Sequence, residues 1–146
     1  MIVGIDPGKG GGLAYWDGKT VATRKFTTES DFLSFMVEEV YATSEVFIED
    51  VPKFVCRKTS VTSAFTLGYN YGFHVGAARA LDFSVRLVKP REWQKGLGLK
   101  PKIGYAARKR YLKDVAKRLF PKVTVINAVA DALLIMDYGR RMSNVH

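Results

Sequence analysis

The stretch Ile2-Val3-Gly4-Ile5-Asp6-Pro7-Gly8-Lys9-Gly10-Gly11-Gly12 decides how this chain is read. It is an apolar run of strand length that ends on a carboxylate, followed by a turn rich in residues that tolerate positive φ. A buried strand that exits on an acid places that acid at a sheet edge, where functional groups gather in α/β folds. A similar pattern returns far downstream in Val46-Phe47-Ile48-Glu49, and a third acid stands inside the apolar segment Ala130-Asp131-Ala132-Leu133-Leu134. Acids converging on one point repel unless a cation neutralises them, and hard divalent ions such as Mg²⁺ or Mn²⁺ do so through oxygen ligands. The three segments therefore point to a metal-dependent acidic site.

Composition sharpens that reading. The chain has 146 residues, of which 47% are hydrophobic, so one domain over 1–146 with a proper core is expected. No apolar stretch approaches the roughly 18 residues of a membrane span, and the first residues run into a strand without a basic region and cleavage site. A soluble, cytoplasmic protein with no membrane partner is expected. Cys56 is the only cysteine, and His74 and His146 are the only histidines, which excludes an internal disulfide and argues against a zinc site of Cys/His spacing and against Cys–His catalysis. Twenty-three Lys and Arg against 14 Asp and Glu leave a net charge of +9, which calls for an anionic partner such as a phosphate backbone. An acidic centre in a basic chain suggests phosphodiester chemistry.

Outward from the first strand, Leu13–Trp16 and Val21–Phe26 read as antiparallel strands joined at Asp17-Gly18, a strong hairpin signal. Thr28 followed by Asp31 resembles a helix cap, and Phe32, Phe35, Met36 and Val40 recur at helical spacing, which predicts a helix over 29–42. After the strand at 46–49, residues 51–59 carry three cations without a clean period and read as a loop beside Glu49. Residues 60–81 read as a long helix carrying Gly68, Gly72 and Gly76, a stripe suited to close packing on the protein's own sheet or on a partner helix. A strand at 84–88 leads to a short helical turn that starts at Pro90 and carries Trp93, read as core, and Gln94. Residues 104–119 form a basic amphipathic helix ended by Pro121, and a last helix runs from an N-cap at Asn127 to about Arg141, delivering Asp131.

Taken in order, Gly4-Ile5-Asp6-Pro7-Gly8, Ile48-Glu49-Asp50-Val51-Pro52, Pro90-x-x-Trp93-Gln94, Ala116-Lys117-Arg118-Leu119-Phe120-Pro121 and Ala130-Asp131-Ala132-Leu133-Leu134 resemble RuvC-type Holliday junction resolvases, in their compact phage-like branch. The resemblance spans nearly the whole chain. It implies an α/β, RNase H-like fold: a mixed five-stranded sheet, three antiparallel strands and then two more, flanked by helices. It also implies a homodimer that nicks four-way DNA junctions symmetrically with Mg²⁺, Mn²⁺ substituting, two ions per site. Carried over, Asp6 bridges two ions, Glu49 holds the ion that assists the attacking water, and Asp131 holds the other.

The family pattern has a fourth carboxylate just before Asp131 that this chain lacks. The bacterial spacing places it at Ala128 and the phage-like spacing at Asn127, and both positions share a helix face with Asp131. Asn127 is the neutral isostere of Asp, so the chain reads as an inactivated form or a variant with altered metal dependence; Asp137 and Asp50 are the acids that could substitute. For DNA, Lys53, Arg57 and Lys58 in the loop after Glu49, and Lys95, Lys100, Lys102, Arg108 and Lys109 around the basic helix, are the candidate phosphate contacts. Phe54 lies where the family carries an aromatic that stacks on unpaired bases. Two other functions fit the same residues: an RNase H-like nuclease acting on RNA/DNA hybrids or flaps, and a non-catalytic junction-binding protein.

Overall fold

The computed structural model describes residues 1–8, 10–52 and 59–143. Its centre is a sheet of β1 (Ile2–Ile5), β2 (Leu13–Trp16), β3 (Val21–Arg24), β4 (Glu45–Glu49) and β5 (Ser84–Val88) in the spatial order β3-β2-β1-β4-β5. The first three strands form an antiparallel meander, and β4 and β5 add in parallel to β1. The turn between β2 and β3 closes as its residues predict. Asp17 Oδ1 accepts from the backbone N–H groups of Lys19 and Thr20, and Gly18 takes a φ of +105°. This mixed five-stranded α/β architecture matches the expected one.

Alternation along the central strands sorts side chains to two cores. Val3, Ile5, Val46 and Ile48 face α1 (Glu29–Glu38) and α2 (Val61–Ala80), where Phe32, Phe35, Met36, Val75 and Ala78 complete one cluster. Ile2 and Phe47 face the opposite layer of α3 (Pro90–Trp93), α4 (Tyr105–Leu119) and α5 (Asn127–Ser143), with Trp93, Leu112, Val115, Leu133 and Met136. The same alternation assigns Gly4, Asp6 and Glu49 to the α5 side.

Gly4 sets how closely that side can be covered. A Cβ there would lie 2.4 Å from the Met136 nitrogen and 2.5 Å from the Ala132 carbonyl oxygen, so the backbone of α5 lies directly on β1. At the far end of the crossing, a Cβ on Gly139 would fall 2.6 Å from the Phe47 ring. Along this crossing every α5 residue from Val129 to Asp137 is buried.

Three expectations shift. The first helix stops at Glu38 rather than 42: the Glu39 N–H still bonds to the Phe35 carbonyl, but the chain then turns so that Val40 enters the core, and a Ser44-to-Tyr41 backbone bond closes the approach to β4. Strand β3 ends at Arg24, which frees Phe26 to pack on Phe32 and Phe35. The glycine stripe does not pack on the protein's own sheet. Gly68, Gly72 and Gly76 are exposed, with nothing within 4 Å of where their Cβ atoms would stand. Helix α2 meets its core instead through Val75 and Ala78 on another face.

Candidate active site

Parallel pairing sets Ile5 opposite Ile48, so the next residue of each strand, Asp6 and Glu49, leaves the sheet at the same edge. Asp6 is held by its own turn: the Gly8 N–H donates to Asp6 Oδ1 at 2.9 Å, and the Asp6 N–H bonds to the Gly12 carbonyl at 3.1 Å. A Cβ at Gly11 would overlap the Asp6 carbonyl at 2.0 Å, so this position in the turn demands glycine. Glu49 is fixed from β5, whose exit into α3 brings Trp93 over it; the indole Nε1–H donates to Glu49 Oε2 at 2.9 Å. Trp93 is core as expected, fully buried, and it also orients a site carboxylate.

The third acid arrives by helix. Asp131 immediately precedes Ala132, whose carbonyl touches Gly4, so the close crossing that glycine permits carries Asp131 toward Asp6. Asp131 is 6% exposed and pairs with the Lys109 ammonium, which reaches across from α4. Asn127, one helical turn earlier and the first residue of α5, lines the same cleft, whereas Ala128 packs against the core beneath. Of the two positions, Asn127 is thus the one that lines the cleft. Asp50 and Asp137 are occupied elsewhere: Asp50 accepts from the Tyr71 hydroxyl, and Asp137 pairs with Arg140 and Arg141.

Electrostatics tie the three acids together. Burial raises the Asp6 carboxyl above its ordinary range and the Asp131 charge raises it further, against the Gly8 N–H and Lys109. Burial, then the charges of Asp6 and Asp131, push Glu49 up to about 7, although the Trp93 indole and Lys109 pull the other way. At Lys109 burial works to lower the pKa, but Asp131 and Asp6 outweigh it and the net shift is upward. The donor set suits a hard divalent ion: three carboxylates, two of them held up by burial and neighbouring negative charge, with the Asn127 amide lining the same cleft. As the side chains stand, no three acidic, histidine or cysteine groups among the described residues are close enough to enclose an ion.

The acids floor a cleft of about 670 Å³ whose lining includes Arg108, Lys109, Arg110 and Lys113. Arg108 and Lys109 are where the sequence placed them. Lys95, Lys100 and Lys102 are exposed and do not line the cleft, Lys102 lying in a turn with φ of +60°. Lys53, Phe54, Arg57 and Lys58 lie outside the described residues. Sequence reading missed Arg110, Lys113, Tyr105 and the Trp93–Glu49 bond. Helical spacing of Ala106, Lys109, Arg110 and Lys113 would have found the first two, since positions three and four apart share a face. Tyr105 is 71% exposed at the cleft with the Arg108 guanidinium 5.7 Å from its ring centre.

No protein-family model and no curated protein sequence matches this chain. Solved structures do. Thermus thermophilus RuvC in complex with a Holliday junction substrate superposes with a TM-score of 0.61 at 17% identity, covering 97% of this chain and 95% of that one. A second Thermus thermophilus RuvC structure gives a TM-score of 0.61 at 16% identity over 97% and 96% of the two chains. The chain has the RNase H-like fold of RuvC. Among the described residues, no helix is long and apolar enough to cross a membrane.

Proposed function

We propose that this chain is a structure-selective DNA endonuclease that resolves four-way junctions and related branched DNA by metal-dependent phosphodiester hydrolysis. One observation carries the reading: Asp6, Glu49 and Asp131 converge at the floor of a cleft lined by Arg108, Lys109, Arg110 and Lys113. Carboxylates alone would repel a phosphodiester, and cations alone would bind it without activating water. The likeness to a RuvC–junction complex supports branched DNA as the substrate.

Asp6, Glu49 and Asp131, with the Asn127 amide oxygen, are the groups that would hold Mg²⁺ or Mn²⁺. Two such ions supply charge for both the entering and the leaving oxygen of an in-line displacement. The chain's own residues do the rest. Trp93 fixes one oxygen of Glu49, the Gly8 N–H fixes one oxygen of Asp6, and the α4 cations position the phosphates. Neutral Asn127 in place of a fourth acid weakens ion binding while preserving shape, so we assign this chain a reduced metal affinity and a low nicking rate. The outward glycine face of α2, flanked by Val61, Phe65 and Tyr69 at 87%, 73% and 54% exposure, supports a homodimer, which paired nicks require.

The test is nicking of a mobile four-way junction in Mg²⁺ and in Mn²⁺, with linear duplex and an RNA/DNA hybrid as controls, beside Asn127→Asp and Asp131→Asn. The expected result is paired symmetric nicks on the junction, faster in Asn127→Asp and lost in Asp131→Asn. Preferential cutting of the hybrid would move the assignment to an RNase H-like nuclease. Tight junction binding without nicking by either the chain or Asn127→Asp would make it a binding protein.

A further inference from the structure

The pairing of Lys109 with Asp131 raises a question that the nuclease reading leaves open: why a carboxylate needed for a metal is already neutralised. Asp131 projects from the most buried helix, its side chain 8% exposed, where an unpaired charge is costly. Lys109 comes from a different helix, with its side chain 39% exposed, so it can withdraw toward solvent without disturbing the core. Its charge also reaches Asp6 and Glu49, lowering the cost of ionising both. Arg110 and Lys113 line the same cleft yet pair with no acid among the described residues, so position in the cleft alone does not account for the contact.

We propose that Lys109 is the built-in counter-ion of the acidic site, and that a divalent ion binds only by displacing its ammonium from Asp131. The inference rests on the proposed function and deepens it. An ammonium and a divalent ion cannot both occupy the same face of one carboxylate, because they repel at contact distance. The exchange lets the site fold with its acids neutralised and sets ion affinity through a residue that need not touch the ion.

The experiment is calorimetric titration of Mg²⁺ into the DNA-free protein, with Lys109→Gln, Lys109→Arg and Lys113→Gln alongside and thermal melting of each with and without Mg²⁺. Removing the competitor in Lys109→Gln should tighten Mg²⁺ by at least about tenfold, while the metal-free protein melts lower and gains more from Mg²⁺ than the parent does. Lys109→Arg should move affinity the other way, because a guanidinium grips a carboxylate through two parallel hydrogen bonds. It keeps the test open should Lys109→Gln not fold. Lys113→Gln should change affinity only slightly, since it alters the local field without vacating Asp131. Unchanged affinity in both Lys109 variants, or an equal gain in Lys113→Gln, would overturn the counter-ion role and leave the nuclease reading standing. Failure of Mg²⁺ to bind any of the four proteins would overturn both.

Discussion

Helices α2 and α5 are of similar length and lie on opposite faces of one sheet, yet the more hydrophobic of the two is the less buried. Helix α2 buries only Val75 and Ala78, whereas α5 buries every position from Val129 to Asp137, two aspartates included. The difference lies in where the glycines sit. On the α5 side Gly4 belongs to the strand, and it lets the helix backbone descend onto the sheet until all sides of α5 are covered by β1, β2, α4 or β4. On the α2 side the glycines belong to the helix and face outward. Glycine in the sheet thus determines how deep the Asp131 helix sits, while glycine on α2 leaves a bare face. Close approach is what turns a helical aspartate into a site residue.

The most severe way to break that contrast is Gly4→Ala. The added methyl would meet backbone atoms of Ala132 and Met136, which cannot rotate away, so α5 must lift and take Asp131 with it. We expect a loss of about 3 kcal/mol or more in urea unfolding, together with loss of nicking. Gly139→Ala meets the Phe47 ring and Ile2 side chain instead, and should cost less because side chains can shift.

Next in size is the pH dependence that α5 and the strand exits create together. Glu49 has an ordinary value of 4.5 and is raised to about 7 in the folded chain, and Asp6 is displaced in the same direction. Below 4.5 the folded and unfolded states both hold the Glu49 proton. Between 4.5 and 7 the folded state holds more protons, so metal-free stability falls as pH rises through that window and levels off above it. The Glu49 contribution is about 3 kcal/mol by the usual conversion. Melting from pH 4.5 to 8 should show the decline, Glu49→Gln should flatten it, and Mg²⁺ should restore stability more at pH 8 than at pH 5. A flat metal-free profile would mean that burial and the neighbouring acids do not raise Glu49.

Trp93→Phe is a smaller perturbation. It keeps most of the buried ring but removes the indole donor to Glu49, for an expected cost of about 1 kcal/mol in stability. Nicking should fall more than stability suggests, and the decline with pH should extend to higher pH because a hydrogen bond that favours the charged form is gone.

The smallest effect tests the other helix. Gly72→Ala adds a methyl to open space and should stabilise an isolated chain by up to about 1 kcal/mol through helix propensity. If the glycine face of α2 meets a second copy, the same change should weaken dimerisation in sedimentation equilibrium while leaving the monomer more stable. Gain in both would separate α2 from assembly.

Much of this was legible in the residues themselves. Local signals do not depend on the rest of the molecule. Asp17-Gly18 made its turn, Thr28 accepted from the Asp31 N–H, Pro90 opened α3, and the five expected strands formed in the expected order. The carboxylates Asp6 and Glu49 could be read as site candidates because each ends an apolar run of strand length, which places it at a sheet edge; their parallel neighbourhood came from the fold. What could not be read was which way a helix turns once its partners are chosen. The outward glycines of α2, the turning of Asn127 rather than Ala128 to the cleft, the Trp93 bond to Glu49 and the Lys109 contact with Asp131 all depend on contacts between segments tens of residues apart. Period and composition encode what a segment prefers by itself. The packing of backbone on backbone at Gly4, set by atoms distant in the chain, decided which of those preferences meet in one site.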